Sequence, residues 1–212
     1  MKHLPNILTG LRLALALYVF VGLAVAGEDV TWLSGQLTQS VQWALERWSF
    51  FAFVVAAVTD FFDGWLARRW GVTSLMGTIL DPIADKILVC GAIFGLLAVG
   101  AAGVLIPGAI ILFREFAVSA LREVLAPRGV KLPVTFLAKT KTTLQLVALG
   151  ALMVIWFWPV WDLHVSVENL RQLYKAAIVV LDFAALVTVW TGLEYGWAAR
   201  RALSLQAAKP TP

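Results

Sequence analysis

Four aspartates fall within one short stretch, DFFDGWLARRWGVTSLMGTILDPIAD, which runs from Asp60 to Asp85. On a helix Asp60, Asp63, Gly64 and Ala67 recur at three- and four-residue steps, so they share a face. Gly77, Asp81 and Asp85 share the face of a second helix in the same way. Where two such faces meet, four carboxylates converge, and like charges at that distance repel unless a cation lies between them. An all-oxygen donor set suits a hard divalent ion, Mg²⁺ before Zn²⁺, and four acids suffice for two ions. Gly64, Ala67 and Gly77 keep the face free of bulk, so a ligand or a facing backbone can approach closely. The blander alternative is a solvated acidic loop between helices, which the helical register beside strongly apolar segments opposes.

A second candidate group is cationic. Arg114 and Arg122 lie toward one side of an otherwise apolar segment, with Ser119 more loosely placed and Glu115 beside Arg114. Lys139 and Lys141 open the next segment. Charges inside a membrane span are costly and face a partner or a wet cavity. Together Arg114, Arg122, Lys139 and Lys141 can form a pocket for a phosphate, using charge-assisted hydrogen bonds and Arg forks. Positive-inside anchoring accounts for Arg128, Lys131 and Lys139, but not for Arg114 so deep in its helix.

The elements that must carry these residues are greasy. Hydrophobic residues make up 60% of the 212-residue chain and charged ones 14%, which is the balance of an integral membrane protein. The expectation is an all-α chain of six transmembrane helices forming one domain, 1–212, with spans at about 5–27, 43–67, 78–100, 104–126, 135–158 and 176–197. The N-terminal segment has signal-like features, namely Lys2, an apolar run and Ala24-Val25-Ala26. Its polar first half (Pro5, Asn6, Thr9 and Arg12 on roughly one face) fits an interfacial helix running into span 1 better. There Asn6, Thr9 and Arg12 are either caps and a snorkelling cation or part of a site.

Asp81-Pro82 is expected to open span 3, with the proline in its first turn. Gly100-Ala101-Ala102-Gly103 is the expected turn between spans 3 and 4, and a polar connection from Asp162 to Lys175 precedes span 6. Lys and Arg gather at both termini and in the even loops, giving both ends in the cytoplasm. Gly91-x3-Gly95 permits close helix packing or a dimer contact. Asp182, in the outer half of span 6, is left with only a neighbouring helix to pair with. The ten tryptophans fit an interfacial belt. Cys90 is the single cysteine and forms no internal disulfide. The net charge of +4 suggests an anionic leaflet as partner rather than nucleic acid.

The spacing Asp60-x2-Asp63-Gly64-x2-Ala67-Arg68-x8-Gly77-x3-Asp81-x3-Asp85 closely resembles the signature of the CDP-alcohol phosphotransferases, with every fixed position matched. PNILTGLR resembles the family's usual opening. REFAVSALRE and the Lys139–Thr143 stretch are similar to the bacterial branch that makes phosphatidylglycerol phosphate. The resemblance covers Pro5 to about Leu149. It implies transfer from CDP-diacylglycerol to glycerol 3-phosphate with two Mg²⁺ or Mn²⁺ ions, in a homodimer in the plasma or inner membrane, with the active site facing the cytoplasm. It also implies roles: Asp60, Asp63, Asp81 and Asp85 on metal, and Asp85 as base. Asn6, Thr9, Gly64, Ala67, Arg68 and Gly77 would bind CDP-diacylglycerol, and Arg114, Arg122, Lys139 and Lys141 glycerol 3-phosphate. Serine, an inositol phosphate or phosphatidylglycerol are the rival acceptors. A small cation transporter is the more distant rival, but it requires acids at the midplane of broken helices.

Overall fold

The computed structural model describes residues 4–27, 37–70, 75–128, 136–162 and 164–207. Six long helices carry these residues, and among them there is no strand. They are α1 (Leu4–Ala26), α2 (Gln39–Trp70), α3 (Leu75–Ala98), α4 (Leu105–Leu125), α5 (Phe136–Trp156) and α6 (Val167–Ala207). Among the described residues three stretches are long and apolar enough to cross a membrane, Ile7–Ala26, Gln39–Asp60 and Val167–Ser204, and Thr140–Trp156 is a shorter apolar one. Charge sets α4 apart, since Arg114, Glu115, Arg122 and Glu123 all lie on it.

Packing divides the helices into two groups. α1 lies against both α2 and α3, and α6 against both α4 and α5, while contacts between the groups are sparser. The closeness of α1 and α3 has a cause in the sequence. A Cβ on Gly91 would stand 3.1 Å from the Ala16 carbonyl oxygen, and one on Gly95 would stand 2.5 Å from Leu23 Cδ1. The Gly91-x3-Gly95 pair therefore serves helix packing within the chain. Ala16, Val19 and Leu23 of α1 enter a buried cluster with Phe53 of α2 and Ile93 and Leu96 of α3. The same cluster continues through Ile111 of α4, Leu149, Leu152 and Met153 of α5 and Leu181 of α6, so one apolar core joins the groups.

The turn between α3 and α4 falls where expected. Gly100 and Gly103 have φ of 79° and 83°, a region that suits glycine. Three expectations need correction. Pro82 lies inside α3, beyond its first turn, where it removes one backbone donor from the helix ladder and is tolerated on an exposed face. The polar stretch before span 6 is not all connection, because α6 begins at Val167 and carries Glu168, Asn169, Arg171 and Gln172 exposed on its first turns. Asp182 is exposed and makes no ion pair among the described residues. The tryptophans also do more than line an interface. Trp156 Nε1 donates to the Val99 carbonyl at 3.1 Å, and Trp161 Nε1 to that of Val154 at 3.1 Å.

Candidate active site

The acidic stretch straddles α2 and α3, as its register requires. Asp60 is in α2 and Asp85 in α3, and both point at one residue of α1. Arg12 Nη1 lies 2.8 Å from Asp60 Oδ1 and 3.3 Å from Asp85 Oδ1. The Arg12 side chain is 1% exposed, while the two carboxylates are 39% and 43% exposed. A buried guanidinium therefore draws carboxylates from two helices to a common point and leaves their outer faces open to a ligand. Thr9, one turn before Arg12 on α1, is buried as well. Arg12 is therefore not a snorkelling cation, since its head is turned into the protein and onto the two carboxylates. Asp63, Gly64, Ala67 and Arg68 lie in α2, Gly77 and Asp81 in α3, and Asn6 in α1. The side chains of these seven lie outside the described residues.

The cationic group also assembles, and α6 completes it. Arg114 of α4 is buried. Its Nη1 donates to Glu115 Oε1 at 3.2 Å and its Nη2 to Thr191 Oγ1 at 3.0 Å. Lys141 of α5 is buried and donates to the same Glu115 Oε1. Arg122 Nη2 donates to the Tyr195 hydroxyl at 2.9 Å. Both guanidinium groups also lie over the Tyr195 ring, Arg114 at 5.5 Å and Arg122 at 5.0 Å from its centroid, within the range of cation–π attraction. Gly192 makes this arrangement possible, since a Cβ there would stand 3.0 Å from Arg114 Cγ. Of the four expected cations, Arg114, Arg122 and Lys141 come together, while the Lys139 side chain lies outside the described residues.

A polar seam links this cluster to the helix interior. Gln145 Nε2 of α5 donates to Thr188 Oγ1 of α6 at 2.7 Å, and both residues are buried. The Thr188 and Thr191 hydroxyls donate back to carbonyls of their own helix. Ser119 does not join the cluster, because its hydroxyl donates to the Glu115 backbone carbonyl at 2.8 Å. Sequence reasoning missed Thr191, Gly192 and Tyr195, and it noted Glu115 only as a neighbour. The one available signal was a small and polar run, TGLEY, within an apolar span.

The chain therefore carries two charged constellations of opposite sense. One presents carboxylates from α2 and α3 gathered on a buried cation. The other presents cations from α4 and α5 gathered on a carboxylate and an aromatic ring. The first suits a hard cation and the second a phosphate. The sequence model of the CDP-alcohol phosphatidyltransferase family matches residues 2–191. The CDP-diacylglycerol–glycerol-3-phosphate 3-phosphatidyltransferase of Rickettsia bellii is 38% identical over 194 residues, covering 92% of this chain and 93% of that protein. The protein of the same name from Escherichia coli K12 is 41% identical over 160 residues, covering 72% of this chain and 81% of that protein.

Proposed function

Because the chain belongs to the CDP-alcohol phosphatidyltransferase family, we propose that it transfers the phosphatidyl group of CDP-diacylglycerol to glycerol 3-phosphate. The products are phosphatidylglycerol phosphate and CMP. The names of the two relatives support this acceptor, and so does the cluster of Arg114, Arg122 and Lys141. An acceptor that is itself a phosphate ester needs an anion site beyond the one for the donor pyrophosphate.

Asp60, Asp63, Asp81 and Asp85 would hold two divalent ions, Mg²⁺ or Mn²⁺. What supports ions here is that Asp60 and Asp85, gathered from two helices, remain 39% and 43% exposed and so keep carboxylate oxygens open to a ligand. Bound ions would neutralise charge on the pyrophosphate as CMP leaves. Asn6, Thr9, Gly64, Ala67, Arg68 and Gly77 line the donor, with Arg68 as counter-charge to its phosphates. Arg114, Arg122, Lys139 and Lys141 hold the acceptor phosphate and orient its free hydroxyl. Asp85 takes the proton from that hydroxyl as the oxygen attacks the diacylglycerol-bearing phosphorus and the bond to CMP breaks. A carboxylate needs only hydrogen-bond reach and the ionised state for this.

The protein works as a multi-pass homodimer in the plasma or inner membrane, with six helices crossing and both termini and the site facing the cytoplasm. Arg68, Arg69, Arg128, Lys131, Arg200 and Arg201 support that orientation by the positive-inside bias. An acceptor panel tests the chemistry. Purified protein with CDP-diacylglycerol and Mg²⁺ should release CMP with glycerol 3-phosphate and fall silent on adding EDTA. Release only with serine, an inositol phosphate or phosphatidylglycerol would overturn the acceptor assignment and leave the aspartate chemistry standing.

A further inference from the structure

Glu115 stands where an anion site should not hold an acid. Its Oε1 accepts from both Arg114 Nη1 and Lys141 Nζ, which come from different helices. With Arg122 held on Tyr195 beside them, the described residues of the group are three basic side chains and one carboxylate. Among these residues the basic groups outnumber the acid, which leaves the cluster suited to an anionic ligand. The site also has hydrogen-bonding capacity to spare. Arg114 is 8% exposed, and its Nε has no acceptor among the described residues. Glu115 itself is less deeply placed, at 22% side-chain exposure, so its carboxylate has room to swing outward.

We propose that Glu115 is the resident counter-ion of the acceptor site, a carboxylate that a dianionic phosphate must displace from Arg114 and Lys141, so that it sets the affinity for the acceptor. This rests on the reading of the cluster as the acceptor site. The physical basis is competition for the same donors. A monoanion offers them no more charge than Glu115 already supplies and so competes weakly. A dianion offers more charge and more acceptor oxygens, and charge-assisted bonds from Arg and Lys favour it. Without Glu115 the three cations would repel one another in the empty site, so the carboxylate also keeps the cluster assembled between turnovers.

The test is direct binding of inorganic phosphate and of acetate to purified full-length protein in EDTA, followed by calorimetry. Metal-held phosphate is thereby avoided. Glu115→Gln should bind phosphate at least tenfold tighter than the parent, and acetate should also gain. Adding Lys141→Met to Glu115→Gln should cancel the gain, which locates it at this cluster. If folded Glu115→Gln binds phosphate equally or more weakly, Glu115 merely holds Lys141 in place and the proposal fails. Should Glu115→Gln not fold, Glu115→Asp replaces it. Its shortened carboxylate cannot span both donors, so phosphate should bind at least threefold tighter, and unchanged or weaker binding refutes the proposal. Phosphate binding is read without turnover. A tighter Glu115→Gln together with an acceptor panel that favours another alcohol would sink the acceptor assignment and leave Glu115 as the counter-ion of a phosphate site that serves another ligand.

Discussion

Replacing Arg12 with methionine removes the one positive group that α1 places between Asp60 and Asp85. Breaking a fully buried ion pair by deleting one partner costs ~3–5 kcal/mol. Here Arg12 is buried, but the two carboxylates are 39% and 43% exposed, and water can take over part of their solvation. The loss should therefore lie below that range, at about 2–3 kcal/mol, comparable with hydrogen bonds to charged groups. In a chain of this length each kcal/mol moves the unfolding midpoint by ~2–4 °C, so Arg12→Met should melt roughly 5–10 °C lower in detergent with EDTA. Mg²⁺ supplies the missing positive charge and binds the folded state only, so it should raise the variant's midpoint. It should raise it more than that of the parent, in which Arg12 already partly neutralises both carboxylates. Arg12→Lys keeps the charge but loses the fork, and should fall between the two. The measurement is a thermal unfolding series by intrinsic fluorescence, with and without Mg²⁺. An Arg12→Met midpoint equal to the parent's in EDTA, or an Mg²⁺ shift no larger than the parent's, would refute the claim that Arg12 is the internal counter-ion of the acidic cluster.

Asp85→Asn should retain binding of CDP-diacylglycerol and lower the rate of CMP release by ~10²–10⁴, with full turnover ruling out Asp85 as the base. At the other cluster, Tyr195→Phe keeps the ring but loses the hydroxyl that accepts from Arg122. A hydrogen bond of that kind is worth ~0.5–1.5 kcal/mol, so KM for glycerol 3-phosphate should rise by roughly three- to tenfold, with kcat nearly unchanged. Tyr195→Leu also removes the surface on which Arg114 and Arg122 lie, adding ~0.5–2 kcal/mol. A KM for this variant equal to the parent's would show that the acceptor does not depend on how those cations are held.

Legibility from sequence followed the range of the interaction. Asp60 and Asp85 could be assigned to helix faces because the period of a helix is local and the acids repeat with it. Gly100 and Gly103 could be read as a turn because no other residue adopts their backbone angles so readily. The same local reasoning misjudged Pro82, since it counted the helix from the proline and not from Leu75. It also took the polar first turns of α6 for a connection, because their residues resemble a loop when only hydrophobicity is weighed. Arg12 could not be resolved from local pattern at all. Its partners lie in α2 and α3, and a cation near a helix start serves equally well as a snorkel until tertiary packing turns it inward. Tyr195 and Thr191 were invisible for the same reason. Each is unremarkable in its own helix and acquires a role only when α6 packs against α4 and α5.

The two clusters share a design that neither shows alone. Among the described residues, the carboxylates hold one buried cation, Arg12, and the cations hold one carboxylate, Glu115. Charges of one sign held together in a low-dielectric surrounding repel by several kcal/mol per pair at a separation of ~4 Å, so a site built only to attract its ligand would open when that ligand left. A built-in counter-charge removes that instability but introduces competition, because the ligand must now outbid a tethered group for the same partners. Binding then becomes an exchange of ions instead of an addition. Exchange favours ligands of higher charge than the resident, which means a divalent cation over Arg12 and a dianionic phosphate over Glu115. The two charge-neutralising variants, Arg12→Met and Glu115→Gln, should consequently behave as mirror images. Each empty cluster should be less stable in its variant, and each variant should gain more from its own ligand than the parent does. The Arg12 variant should respond to Mg²⁺ and be indifferent to phosphate in EDTA, whereas the Glu115 variant should show the reverse preference.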